Sequence, residues 1–365
     1  MRKRITSTLA ILAALSMMAG NARAEASPGS PLTVGAQAVL TGLAFPAAFT
    51  FFPDGRILFG ERFTGKIKIY DPATHQTTTF FTVPNISTTN NHGLLGLAVH
   101  PGYPSSPYVY AFASRNIGGV ITNQLLRITD SGGTGSDMQT LVSVQSVPDD
   151  PHDGGRILFG PDGMVYAVVG DGGNEANAQN LNSNRGKVLR MTDTGGVPPD
   201  NPFPNKRIFT YGLRNSFGFA FDPQTGLLWE TENGPACNDE INIERPGENH
   251  AWGTHETCVG QPPQNTNQDG PLPRVLPLKW FTPTIAPTGV AFCSTCGLPG
   301  GNGKMYLGAY NTSNIRRVAL TADRQGIASM ATVYTHSEGV LSLEQGPDDA
   351  LYFSDSKAIY RLIAI

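Results

Sequence analysis

Charge is scarce in this chain. Asp, Glu, Lys and Arg make up 15% of its 365 residues, whereas about a quarter is usual for a soluble domain. No run of lysines or arginines occurs, which argues against nucleic acid as a partner, because phosphate binding needs clustered cations. Beyond the N-terminus no apolar segment is long enough to span a bilayer, so no membrane span is expected there. A phosphate-cradling loop, a metal motif and a G-x-S-x-G nucleophile elbow are also missing. Cysteine is limited to Cys237, Cys258, Cys293 and Cys296, all in one third of the chain.

The first residues read as a leader. Met1-Arg2-Lys3-Arg4 is basic, Ile5 to Ala19 is apolar, and Ala22-Arg23-Ala24 is a small-x-small cleavage site, the pattern of a secretory signal peptide. Residues 1–24 are expected to be removed, leaving a mature chain of 25–365 that is periplasmic or secreted. The formal charge then falls from −3 to about −7, since four cations leave with the leader. In an oxidising compartment four cysteines imply two disulfides. Local pairing gives Cys237 with Cys258 and Cys293 with Cys296. A zinc site at Cys293-x-x-Cys296 is the rival, but the other pair is spaced too widely to complete a ligand set.

What the chain does contain is repetition. "FFPDGRILFGERFTGKIKIY" from Phe51 is echoed by "LAVHPGYPSSPYVYAFAS" from Leu97 and "ILFGPDGMVYAVVGDGG" from Ile157. "FAFDPQTGLLWETENG", "VAFCSTCGLPGGNGKMYLGAY" and "LEQGPDDALYFSDSKAIYRL" follow from Phe219, Val290 and Leu343. Each is an apolar strand, a Pro/Gly/Asp turn and a second strand rich in aromatic and β-branched residues. Six units of about 56 residues match the period of four-stranded propeller blades. The predicted fold is all-β, one six-bladed β-propeller domain, with the strand near Val34 to Leu40 closing the ring against the C-terminal blade. Loops of successive blades then converge on one end of a central channel.

Several polar loops punctuate the repeats. His152 precedes the third hairpin, as a channel group or a plain turn residue. Arg214-Asn215 stands just before a strand. Gly234-Pro235 is followed by Asp239, Glu240 and Asn249-His250, and acidic groups beside a Gly-Pro turn with free carbonyls suit a hard cation such as Ca2+. An ordinary solvated turn would use the same residues. His92 is placed at the channel entrance or as a turn cap, and His100 in a blade turn. Tyr166, Trp229, Trp252 and Tyr306 are assigned to the core, while Trp280 is a candidate wall for a ligand.

Eight phrases in order carry a family resemblance: "PDGRILFGERFTGKI", "HGLLGLAVHPGY", "HDGGRILFGPDGMVYAVVGD", "RGKVLRM", "PPDNPFPN", "YGLRNSFGFAFDPQTGLLWETENGP", "NDEINIERPGENHAWG" and "APTGVAF". Together the chain resembles the soluble PQQ-dependent aldose sugar dehydrogenases, the glucose/sorbosone dehydrogenase family of six-bladed propellers. The resemblance implies an exported enzyme that oxidises the anomeric hydroxyl of an aldose to a lactone and passes electrons to an external acceptor. It implies that His152 is the general base, that Arg214 and Asn215 contact PQQ, and that the Gly234 and Pro235 carbonyls hold the calcium that clamps it. A second, structural calcium would use Glu240 and the carbonyl at His250, where relatives usually have Tyr. Asn91 falls where relatives often place Gln or Glu and is taken as a cofactor contact.

The resemblance lapses at three cationic positions. Gly339 and Leu341 stand where relatives carry an Arg-x-Arg pair, and Asn311 where they carry Lys or Arg. Arg316, Arg317, Lys304 and Lys357 lie nearby in sequence. Two other readings follow from those gaps: a PQQ-free hydrolase or lyase acting on a sugar or lactone, or a non-catalytic carbohydrate- or protein-binding propeller.

Overall fold

Twenty-four strands and one short helix, Ala176–Gln179, make up six four-stranded antiparallel sheets in a computed structural model that describes residues 33–146 and 152–365. The expected leader and its cleavage site lie outside the described residues. The inner strands of the six sheets are Pro46–Phe51, Leu94–Val99, Gly154–Phe159, Ser216–Phe221, Pro287–Cys293 and Ser342–Gln345. Each contacts the inner strand of the next sheet, and the last contacts the first. This is the six-bladed propeller that the repeats imply.

Local chemistry explains the blades. Ile57–Glu61, second strand of the first blade, is buried at every position, as a strand packed on both faces must be. The outermost strand, Gln76–Thr82, is mostly exposed and rich in threonine, which suits an unpaired edge. The hairpin turns repeat one device: Asp54, Asp162 and Asp348 each accept a hydrogen bond from the backbone amide two residues on, at 3.1–3.2 Å. Between blades the faces interlock, as where Tyr110 and Leu125 of the second blade meet Val165, Leu189 and Met191 of the third.

Ring closure joins the two ends of the described chain. Val34–Thr41 pairs antiparallel with Ala358–Ala364, from Val34 opposite Ala364 to Thr41 opposite Ala358. It is the outer strand of a sheet whose other three strands come from the C-terminus. Both disulfides form as local pairing suggests, Cys237–Cys258 and Cys293–Cys296.

One irregularity recurs at the head of the inner strands. The register slips between Pro46 and Ala48, Leu94 and Gly96, Gly154 and Ile157, Ser216 and Gly218, and Pro287 and Gly289. Such a bulge leaves a residue outside the ladder and re-aims its side chain. The residues so released, Ala47, Leu95, Arg156, Phe217 and Thr288, all line one cavity in the channel, joined by Leu341 from the sixth blade. The bulges are the means by which the propeller builds the wall of its site.

Deleting residues 33–41 should leave Ala358–Ala364 as a bare edge. The expected result is a chain that melts at a clearly lower temperature and self-associates, read by calorimetry and size-exclusion chromatography; an unchanged melt would show that the ring does not depend on this strand.

Candidate active site

The third-blade hairpin creates the first element of the site. Its register sets Gly154 opposite Val169, so the next positions outward bring His152 against Asp171. Their side chains meet with His152 Nδ1 2.6 Å from Asp171 Oδ1. The carboxylate is fully buried, and the imidazole keeps 12% of its surface exposed. Asp171 is itself held: the Gly173 amide donates to Oδ1 at 2.8 Å and Trp252 Nε1 donates to Oδ2 at 2.9 Å. A carboxylate accepts only, so the proton between the pair sits on Nδ1 and Nε2 is the basic nitrogen of a neutral His152.

Arg214 and Asn215 lie on the loop that leads from the third blade into Ser216–Phe221. The Arg214 guanidinium lies 5.4 Å from the centre of the Trp252 ring and donates to the Asn233 carbonyl at 2.8 Å. Burial lowers its pKa, and Asp171 works against that shift. Asn215 Oδ1 accepts from the Gly154 amide at 3.3 Å. One cluster therefore joins the histidine strand, the Arg-Asn loop and Trp252.

Beside it lies a cavity of about 350 Å3 whose wall includes Asn91, Asn215, Asn233, Arg62, Arg156 and Tyr310. That size falls within the range of small-ligand sites. Asn91 and Asn215 reach it as the sequence implies. His92 does not: it is buried, with Nδ1 hydrogen-bonded to Ser87 and Thr89 and Nε2 to Ser146. His100 caps its own turn by accepting from the Gly102 amide.

The family described as glucose/sorbosone dehydrogenase matches residues 43–363. The chain belongs to the glucose/sorbosone dehydrogenase family. An aldose sugar dehydrogenase of Streptomyces coelicolor, solved in its PQQ-bound form, is 26% identical with a TM-score of 0.78, the match covering 93% of this chain and 100% of that one. Quinoprotein glucose dehydrogenase B of Acinetobacter calcoaceticus is 31% identical over 294 residues, 69% of this chain and 60% of its own. Aldose sugar dehydrogenase YliI of Escherichia coli K12 is 24% identical over 363 residues, 92% of this chain and 94% of its own.

The two cation positions expected from the sequence can be tested on the residues present. The carbonyls of Gly234 and Pro235, adjoining cavity residue Asn233, accept no hydrogen bond among the described residues, which leaves two oxygens suited to a hard cation. They fit calcium. At the second position Glu240 and His250 are both buried, but the His250 carbonyl accepts from Asn267 Nδ2 at 2.8 Å, so an amide already serves it. Strand pairing sets Glu240 with Glu232, Glu230 and Glu244 in one buried group. Burial opposes ionisation of His250, yet Glu244 beside it raises its pKa to about 9. No group of three or more His, Cys, Asp or Glu able to hold a metal occurs among the described residues.

The structure also corrects some assignments. Trp252 is a loop residue bonded to Asp171, not a strand core residue, and Trp280 sits on the outer strand Lys279–Phe281, outside the cavity wall. Arg317 donates to Pro299, and Lys357 pairs with Glu338 at the surface, so neither lines the cavity. Asp171, Arg62 and Arg156 were missed in the sequence. Counting outward from the Pro-Asp-Gly turn sets His152 opposite Gly172; the register shift between Gly154 and Ile157 is what brings Asp171 to it.

Below Arg156 a second cavity of about 280 Å3 holds Glu344. Burial raises the Glu344 pKa to about 7, with Arg156 working against the shift. A carboxyl with a folded pKa above its unfolded value stabilises most below the unfolded value, about 4.5, and loses that contribution as pH rises through about 7. Stability of the native protein should therefore decline between pH 5 and pH 7.5, and Glu344→Gln should flatten that decline in denaturant titrations. An unchanged slope would rule out Glu344 as its source.

Proposed function

We propose that this protein is an exported, PQQ- and calcium-dependent aldose dehydrogenase that oxidises the anomeric hydroxyl of a sugar to a lactone. One observation carries the reading: a histidine oriented by a buried carboxylate is linked, through Gly154 and Asn215, to a cavity edged by guanidinium groups. The first half is the apparatus of a general base and the second of an anionic cofactor site.

His152 Nε2 takes the proton from the anomeric hydroxyl. Asp171 holds the ring in the tautomer that leaves Nε2 basic, and stabilises the imidazolium that forms. Trp252 and the Gly173 amide keep Asp171 from turning away. Bound PQQ would supply the two-electron acceptor for the hydride that leaves the anomeric carbon. Arg214 and Asn215 would contact it, Asn91 would border it, and the Gly234 and Pro235 carbonyls would hold the calcium. An external acceptor then takes the electrons. The N-terminal leader pattern supports a periplasmic or secreted location.

Titration of calcium-loaded protein with PQQ, followed by addition of an aldose, tests the reading through the quinone's absorbance. His152→Ala should slow reduction by about a hundredfold or more while PQQ affinity stays within about threefold. Asp171→Asn should lower kcat with little change in KM, because it disturbs only the base. Reduction at an undiminished rate in His152→Ala would remove the general base from this scheme.

A further inference from the structure

Arg62 and Arg156 are the guanidiniums that edge the cavity, and neither takes part in the proton or hydride transfer above. They are held alike. Arg62 donates from Nε to the His92 carbonyl at 3.0 Å and from Nη2 to the Asn90 carbonyl at 2.7 Å. Arg156 donates from Nε to the Phe217 carbonyl at 2.8 Å and from Nη2 to the Leu341 carbonyl at 2.5 Å. Among the described residues Nη1 makes no hydrogen bond in either case, and no carboxylate forms an ion pair with either guanidinium. Neutral carbonyls orient the two forks without cancelling their charge.

Holding these charges costs the fold. Burial lowers the Arg62 pKa, and it pulls Arg156 down to about 10. Asp153 and Tyr310 act on Arg62 from the neighbouring elements, and Glu344 acts on Arg156 from below. Among the six equivalent channel positions Ala47, Leu95, Arg156, Phe217, Thr288 and Leu341, only one carries a charge. Its bulge differs from the others, because the register skips both Gly155 and Arg156. Gly155 has φ +108, and an added Cβ would fall 2.6 Å from Leu95, so the conformation that delivers Arg156 to the channel is tied to glycine.

We propose that Arg62 and Arg156 are the anion-binding residues of this cavity, and that their Nη1 groups take carboxylates of a planar polycarboxylate ligand. The assignment rests on the PQQ reading and extends it: the cationic grip comes from the first and third blades, while Leu341 on the sixth blade contributes none. A guanidinium fixed by backbone carbonyls is pre-organised for charge-assisted bonds to a carboxylate.

The experiment is calorimetric titration of the calcium-loaded full chain with PQQ, comparing the native protein with Arg62→Gln. Glutamine keeps amide donors near the carbonyls and removes the charge. Loss of one charge-assisted bond should weaken binding by about tenfold to a hundredfold, with a melting temperature close to native. Leu341→Arg, which returns a cation to the same wall, should restore much of that loss; in the native background it should tighten binding, an arm that stands even if Arg62→Gln does not fold. Native binding with equal affinity in Arg62→Gln overturns the assignment and leaves the dehydrogenase reading in place. No tightening in Leu341→Arg also overturns it. Absence of PQQ binding to the native protein overturns both readings together.

Discussion

Six strands have to converge around one axis, and every other feature of the molecule follows from how that convergence is held. An open row of blades would present bare hydrogen-bonding edges and an incomplete channel. The pairing of Val34–Thr41 with Ala358–Ala364 prevents this by building the last blade from both ends of the described chain. Because closure fixes the inner strands at a common radius, what their first residues do is decided by the channel rather than by the blade.

Inner strands with perfect register would turn alternate side chains into the blade interfaces. The repeated slips at the heads of five of them interrupt that alternation and deliver one side chain from each of those five to the cavity. Four of those side chains are small or apolar in this wall, and one is Arg156. The same hairpin that carries Arg156 sets His152 against Asp171. The third blade thus places His152 just before, and Arg156 within, the same inner strand.

The electrostatics of the site are those of charges kept apart from their partners. Arg62, Arg156 and Arg214 all rest on backbone carbonyls, and burial lowers the pKa of each. Carboxylates act on them through space, Asp171 and Glu232 on Arg214, Asp153 on Arg62 and Glu344 on Arg156, without an ion pair to these guanidiniums among the described residues. Guanidiniums held by neutral carbonyls in a half-enclosed space favour an anionic occupant, because a charge-assisted bond to a carboxylate is strong there.

Repetition along the chain was enough to determine the propeller, since alternating apolar strands and Asp-centred turns are local properties that recur at a fixed period. The disulfide pairing, the closing strand and the positions of His152, Arg214, Asn215 and Asn91 were legible for the same reason or through family phrases. Arg62 and Arg156 were not, because nothing local distinguishes an arginine that ends a strand at the surface from one that faces a channel. Trp252 is buried as expected, but its place in a loop and its bond to Asp171 were not legible, because Asp171 is distant in sequence. Which residues share the cavity depends on bulges and ring closure, and these are set by contacts between blades. The sequence by itself determined the blades and singled out His152; only the tertiary structure decided which charges line the cavity.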